Sequence, residues 1–135
     1  LGTMEAITTP IVVLTSNNTR ELSEALKRRC LYLHIPYPSI DRERAILAAR
    51  VPGLGDRLAD KIAATVATIR AVPIRKSPSI SETIDWARTL LLLNVSELDT
   101  ETVRRTINVL LKFQEDVEMV QRGLYKLVSD AKNTV

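Results

Sequence analysis

Beyond Pro38 every segment has apolar residues recurring at spacings of three and four, and proline, glycine or capping residues punctuate the runs. That rhythm belongs to helices that bury one face, and it excludes a sheet for most of the chain. Ser39 can cap a helix through Ile46 and Leu47 to about Arg50, stopped by Pro52-Gly53. From Asp56 to Val72 the series Leu58, Ile62, Val66, Ile69 marks one buried stripe, ended by Pro73. Ser79-Ile80-Ser81-Glu82 has capping-box spacing and opens a helix through Trp86, Leu90 and Leu93. Asp99 or Thr100 caps the next, with Val103, Ile107, Leu110 and Leu111 inward. A last helix is expected from about Glu115, with Val117, Val120, Leu124, Leu127 and Val128 on one side.

The first part of the chain reads differently. Ile11–Leu14 and Leu31–Ile35 are continuously apolar runs, expected as strands covered on both faces. Between them, Arg20 to Lys27 has helical spacing, with Leu22 and Leu26 four apart on one side. Strand, helix and strand in about 25 residues form a βαβ unit, which implies a parallel sheet. The expected organisation is therefore residues 1–36 as an α/β piece and 37–135 as an all-α bundle. A short linker stiffened by Pro36 and Pro38 joins them.

Composition narrows the classes. Of the 135 residues 45% are hydrophobic and 26% charged, which suits a globular fold with an aliphatic interior. The net charge of +3 comes from 19 basic and 16 acidic residues interleaved almost throughout, against a nucleic-acid module with one concentrated basic face. No apolar run approaches the ~20 residues that span a bilayer. The opening LGTMEAITTP lacks a basic region followed by an apolar core of the secretory kind. Cys30 is the single cysteine, so no internal disulfide can form, which fits a reducing cytosol.

Two features bear on chemistry. A buried strand ending in Thr15-Ser16-Asn17-Asn18 sets small polar groups at the carboxyl edge of a parallel sheet, where open α/β folds place ligands. A turn and helix N-cap account for the same residues. Lys27-Arg28-Arg29 closes the following helix, where cations are favourable against its dipole. Arginine also offers planar, paired donors suited to phosphate. Taken together, an asparagine that orients water and an arginine that stabilises transition-state charge describe a phosphoryl-transfer site. His34 has no ligand partners in the pattern and reads as structural. Cys30 lacks a base or resolving partner, and Trp86 with Leu90 and Leu93 reads as helical core.

The stretch VVLTSNNTRELSEALKRRCLYLHIPYPS resembles the second half of an AAA+ ATPase core, close to the MoxR-like branch. There a Thr-x-Asn ends the sensor-1 strand, and a Leu-x-Arg-Arg-(Phe/Cys) carries the arginine finger. Leu1-Gly2-Thr3 is similar to the stretch between the Walker B strand and sensor 1, and PSISETIDWARTL to the family's helical lid. The fold this implies is mainly α: a C-terminal remnant of an α/β AAA+ core, two short strands and a helix, followed by the all-α lid. The resemblance implies that Asn17 is the sensor-1 residue, contacting the γ-phosphate and the attacking water. It implies that Arg29 is the arginine finger acting in trans on a neighbouring subunit's nucleotide, with Arg28 the alternative register. It implies ATP and Mg²⁺ as cofactors, and a ring of subunits, often six. The substrate would be a protein, with a von Willebrand factor A-domain partner common in this branch, and the location the cytoplasm.

The departures from the family pattern are as informative. No Gly-x-x-x-x-Gly-Lys-Ser/Thr occurs, so nothing cradles the β- and γ-phosphates, and Gly53-Leu54-Gly55 is too short to replace it. Neither strand ends in the Asp-Glu pair that binds Mg²⁺. Where a sensor-2 arginine would fall stand Ser79, Ser81 and Glu82, and the basic residues nearest that window are Arg75 and Lys76. The chain is thus expected to be the C-terminal part of a larger ATPase, inactive alone and binding no nucleotide by itself. The alternatives are a non-enzymatic helical binding module, resting on residues 39–135, and a DNA-handling AAA+ protein.

Overall fold

Two helices, α2 (Ile40–Arg50) and α4 (Ile80–Leu92), pack against α3 (Asp56–Arg70), the longest helix among the described residues. Its stripe of Leu58, Ile62, Val66 and Ile69 is buried, as the four-four-three spacing predicts. Ala59, Ala63 and Ala64 beside that stripe are also buried, and such small residues let neighbouring helices approach closely. The computed structural model describes residues 2–16 and 22–124. The chain divides into two compact units, Leu1–Ile35 and Pro36–Val135.

In the second unit the order continues with α5 (Thr100–Thr106), a 3₁₀ turn (Ile107–Val109) and α6 (Gln114–Arg122). All five helices of this unit, among the described residues, feed one core. It includes Leu47, Val51, Trp86, Leu90, Leu98, Val103, Ile107, Leu110, Val117, Val120 and Leu124. Leu127 and Val128, expected in the last helix, lie outside the described residues.

Local chemistry sets the helix ends. Ser39 Oγ accepts the Arg42 N–H at 3.2 Å and Asp99 accepts the Thr102 N–H at 2.7 Å. Ser79 and Glu82 complete a reciprocal capping box at α4. The other end of α4 is closed by Asn94, whose φ of 55° is left-handed. With it, the Asn94 N–H reaches the Leu91 carbonyl and the Val95 N–H the Leu90 carbonyl, both at 3.0 Å. That pair of bonds satisfies carbonyls that the helix end would otherwise orphan.

The periodicity from Val103 to Leu111 predicts one helix, and the structure breaks it at Thr106. The Thr106 hydroxyl bonds back to the Thr102 carbonyl at 2.7 Å and accepts the Trp86 indole N–H at 2.8 Å. Anchoring the indole at this point coincides with the change to a 3₁₀ turn, and Ile107 and Leu110 stay inward.

The first unit departs from expectation. Its helix, α1, runs Glu24–Arg29 and closes on the basic cluster as expected, while its start is set by Ser23, which accepts the Leu26 N–H at 3.2 Å. Arg20 and Glu21 lie outside the described residues. No strand occurs among the described residues, so the two expected at Ile11–Leu14 and Leu31–Ile35 are not formed there. A strand is made by its neighbour's ladder and by cover on its faces. In this unit α1 is six residues long and buries none of them. Ile11 and Leu31 are accordingly 94% and 103% exposed. His34, expected as a structural residue, is exposed as well. No helix among the described residues is long and apolar enough to cross a membrane.

Trp86 ties α4 to α5 through both its volume and its N–H. Trp86→Ala is expected to destabilise the helical unit by about 3–5 kcal/mol. Trp86→Phe should cost less, since the hydroxyl it leaves keeps its bond to Thr102. Urea unfolding followed by far-UV circular dichroism measures both, and an unchanged midpoint for Trp86→Ala would contradict this packing.

Candidate functional site

The basic cluster occupies the last turn of α1, where Lys27, Arg28 and Arg29 face the negative end of the helix dipole. Cys30 follows in extended conformation, with φ −126° and ψ 156°, so the helix stops directly after Arg29. Lys27 lies 5.3 Å from the Tyr32 ring centroid. Arg28 and Arg29 are exposed, and their guanidinium groups make no ion pair among the described residues. Asn17, the other expected site residue, lies outside the described residues. Cys30 is an exposed free thiol.

Elsewhere several surface cations are matched by acids. Arg44 pairs with Asp60 at 3.0 Å, Arg57 with Glu97 at 3.2 Å and Arg104 with Glu101 at 2.7 Å. Exposed pairs of this kind add little stability. They do dissipate the basic face a nucleic-acid reader would present.

Arg75 and Lys76 are both engaged within the helical unit. Arg75 stacks 4.0 Å from the Phe113 ring centroid and reaches Glu115 at 4.0 Å. Lys76 sits 3.6 Å from Glu82. Their backbone N–H groups both donate to the carboxylate of Asp116, at 2.8 and 3.1 Å, and Asp116 is itself buried. The N-terminus of α4 is also closed on itself. The Ser79 N–H donates to Glu82 Oε2 at 2.7 Å, and the Ser79 hydroxyl bonds the same oxygen. The helix end therefore spends its cap on its own residues.

The most buried acid and the cation that meets it lie behind this loop, and sequence reasoning missed them. Glu43 on α2 is 1% exposed, and the Arg70 side chain at the end of α3 is 8% exposed. Arg70 donates from Nη1 to Glu43 Oε2 at 2.6 Å and from Nη2 to Oε1 at 2.9 Å. Its Nε donates to the Pro78 carbonyl at 2.9 Å, and its guanidinium stacks 4.4 Å from the Tyr37 ring centroid. Such a fork-to-fork pair with its remaining donor satisfied is the geometry a buried ion pair needs. The available signal was register: Ile40, Glu43 and Leu47 stand three and four apart, so the acid shares α2's inward face.

No group of three or more metal-ligating side chains occurs among the described residues. No protein-family model matches the chain, and comparisons with curated proteins and with solved structures likewise find no match.

Burial would raise the Glu82 carboxyl. The Ser79 hydroxyl and backbone N–H, with Lys76 and Lys112 nearby, outweigh it and hold the group below the ordinary carboxylate range. Asp99 and Glu101 are also held low, by Thr102 and Arg104 respectively. A depressed acid contributes stability that is present above its unfolded value, about 4.3 for glutamate, and lost as pH falls through the folded value. Stability should therefore decline as pH falls below that range. Glu82→Gln keeps an acceptor at the cap but not the charge, so it should lose stability near pH 7, approach the wild type at low pH and thereby flatten this acid limb. Urea midpoints measured across the acid range check this, and an acid limb as steep as in the wild type would contradict it.

Proposed function

We propose that this chain is the sensor-1, arginine-finger and lid portion of a cytoplasmic AAA+ ATPase of the MoxR-like type. The intact protein would form a ring, often of six subunits, and couple hydrolysis of Mg²⁺-ATP to remodelling a protein substrate. A von Willebrand factor A-domain protein is the proposed class of partner. The observation that carries this reading is the pair Arg28-Arg29. Both are exposed and unpaired among the described residues, at the end of a short helix that follows the Thr-Ser-Asn-Asn turn sequence. Guanidiniums left open in this way can offer planar, paired donors to an anion from outside the chain, such as a phosphate.

The roles follow from the chemistry of the side chains. An arginine finger offers fixed donors to the oxygens of the transferring phosphoryl group as their charge develops, and Arg29 is proposed for that task with Arg28 beside it. Asn17 is proposed to orient the attacking water without adding charge. ATP supplies the transferable phosphoryl group and Mg²⁺ neutralises its oxygens. The residues holding both would lie in a Walker-bearing part of the parent. The apolar segments Ile11–Leu14 and Leu31–Ile35 further support the reading, because continuously apolar runs suit burial between sheet neighbours. The Arg75 and Lys76 side chains are held by Phe113, Glu115 and Glu82, so they are not assigned to the nucleotide.

In the intact parent, Asn17→Ala and Arg29→Ala should leave nucleotide binding largely intact and cut hydrolysis by about 10³–10⁵-fold for the arginine. Because Arg29 is proposed to act across a subunit boundary, mixing Arg29→Ala subunits with Walker-mutant subunits should restore part of the activity. Steady-state ATPase rates with co-assembly monitored by native mass spectrometry test this. No recovery in co-assembled rings would remove the finger assignment.

A further inference from the structure

The linker Pro36-Tyr37-Pro38 is stiff for a local reason and fixed for a non-local one. Each proline ring locks its own φ, and each restricts the residue before it to extended conformations, here Ile35 and Tyr37. Local stiffness alone would still let the segment swing about the start of α2. Two attachments oppose that. Ser39 Oγ accepts the Arg42 N–H, which sets the chain's entry into α2. Tyr37, half-exposed, lies over the Arg70 guanidinium at 4.4 Å. That guanidinium cannot follow a moving ring, because Glu43 holds two of its nitrogens and the Pro78 carbonyl a third.

We propose that the Tyr37–Arg70 stack is a clamp that makes residues 36–39 part of the helical unit's rigid body. Any pivot between the two units then lies before Pro36, in the stretch without regular secondary structure after Cys30. The stack is directional as well as attractive, since a cation is held over a ring face and not at its edge. The linker therefore turns with α2 and α3 and does not buffer their movement. The clamp stands independently of the ATPase reading.

Backbone ¹⁵N relaxation on the full chain tests the clamp, comparing wild type with Tyr37→Ala and Tyr37→Phe. In the wild type the heteronuclear NOE of the Tyr37 and Ser39 amides should equal that of α2 and fall between Tyr37 and Leu33. Tyr37→Phe keeps the ring and should not change this. Tyr37→Ala should lower the NOE at position 37 to the level of residues 31–35. In that variant the Arg70 Hε resonance should lose its ring-current shift yet remain slowly exchanging, because its bond to Pro78 survives and reports an intact fold. A wild-type Tyr37 amide as mobile as residues 31–35, or identical profiles for the Ala and Phe variants, would overturn the proposal.

Discussion

Among the described residues of the helical unit one cation, Arg70, is largely withdrawn from water, and its neighbours are arranged around the need to satisfy it. Arg70 ends α3 where its side chain must enter the interior, and an unpaired guanidinium there would cost several kcal/mol. Glu43 answers it from α2, the Pro78 carbonyl from the approach to α4, and the Tyr37 ring from the linker. One side chain thus ties together segments that apolar packing alone would leave free to slide. Hydrophobic contacts supply the bulk of the stabilisation but are tolerant of small shifts. A forked ion pair is not tolerant, since both of its bonds fail together when the helices move.

The crossing from α3 to α4 shows the same logic at its other side. Asp116, from the first turn of α6, takes the N–H groups of Arg75 and Lys76, while Arg70 takes the carbonyl of Pro78. The loop is therefore held by a carboxylate at its middle and a guanidinium at its end. This explains why its two basic side chains turn outward to Phe113, Glu115 and Glu82. It also explains how two acids can be buried in so small a bundle. Each is matched by donors, and no buried side-chain polar atom among the described residues lacks a partner.

What was legible in the sequence was whatever is written locally. Ser39, Ser79 with Glu82, and Asp99 announced helix starts because a cap acts within three residues. The three-four spacing of α3 named its core correctly. Glu43, Arg70 and Asp116 were not legible because their partners lie 27, 40 and 41 residues away and polarity masks an inward register. The apolar runs at Ile11–Leu14 and Leu31–Ile35 carry the composition of strands, yet a ladder is a property of paired segments and no strand forms among the described residues. The candidate site divides in the same way. Arg28 and Arg29 were legible as a helix-ending cation pair, and their exposure was not, because it depends on what the rest of the unit fails to cover.

If the Glu43–Arg70 pair is the constraint on which the helical unit depends, a double-mutant cycle in urea is the sharpest measure of it. Glu43→Ala and Arg70→Ala should each cost about 3–5 kcal/mol, since either leaves a buried charge unmatched. The double variant should cost distinctly less than the sum of the two, because the second substitution removes the charge that the first had orphaned. Strict additivity, or single variants as stable as the wild type, would show that the pair is incidental and that apolar packing alone sets the arrangement of these helices.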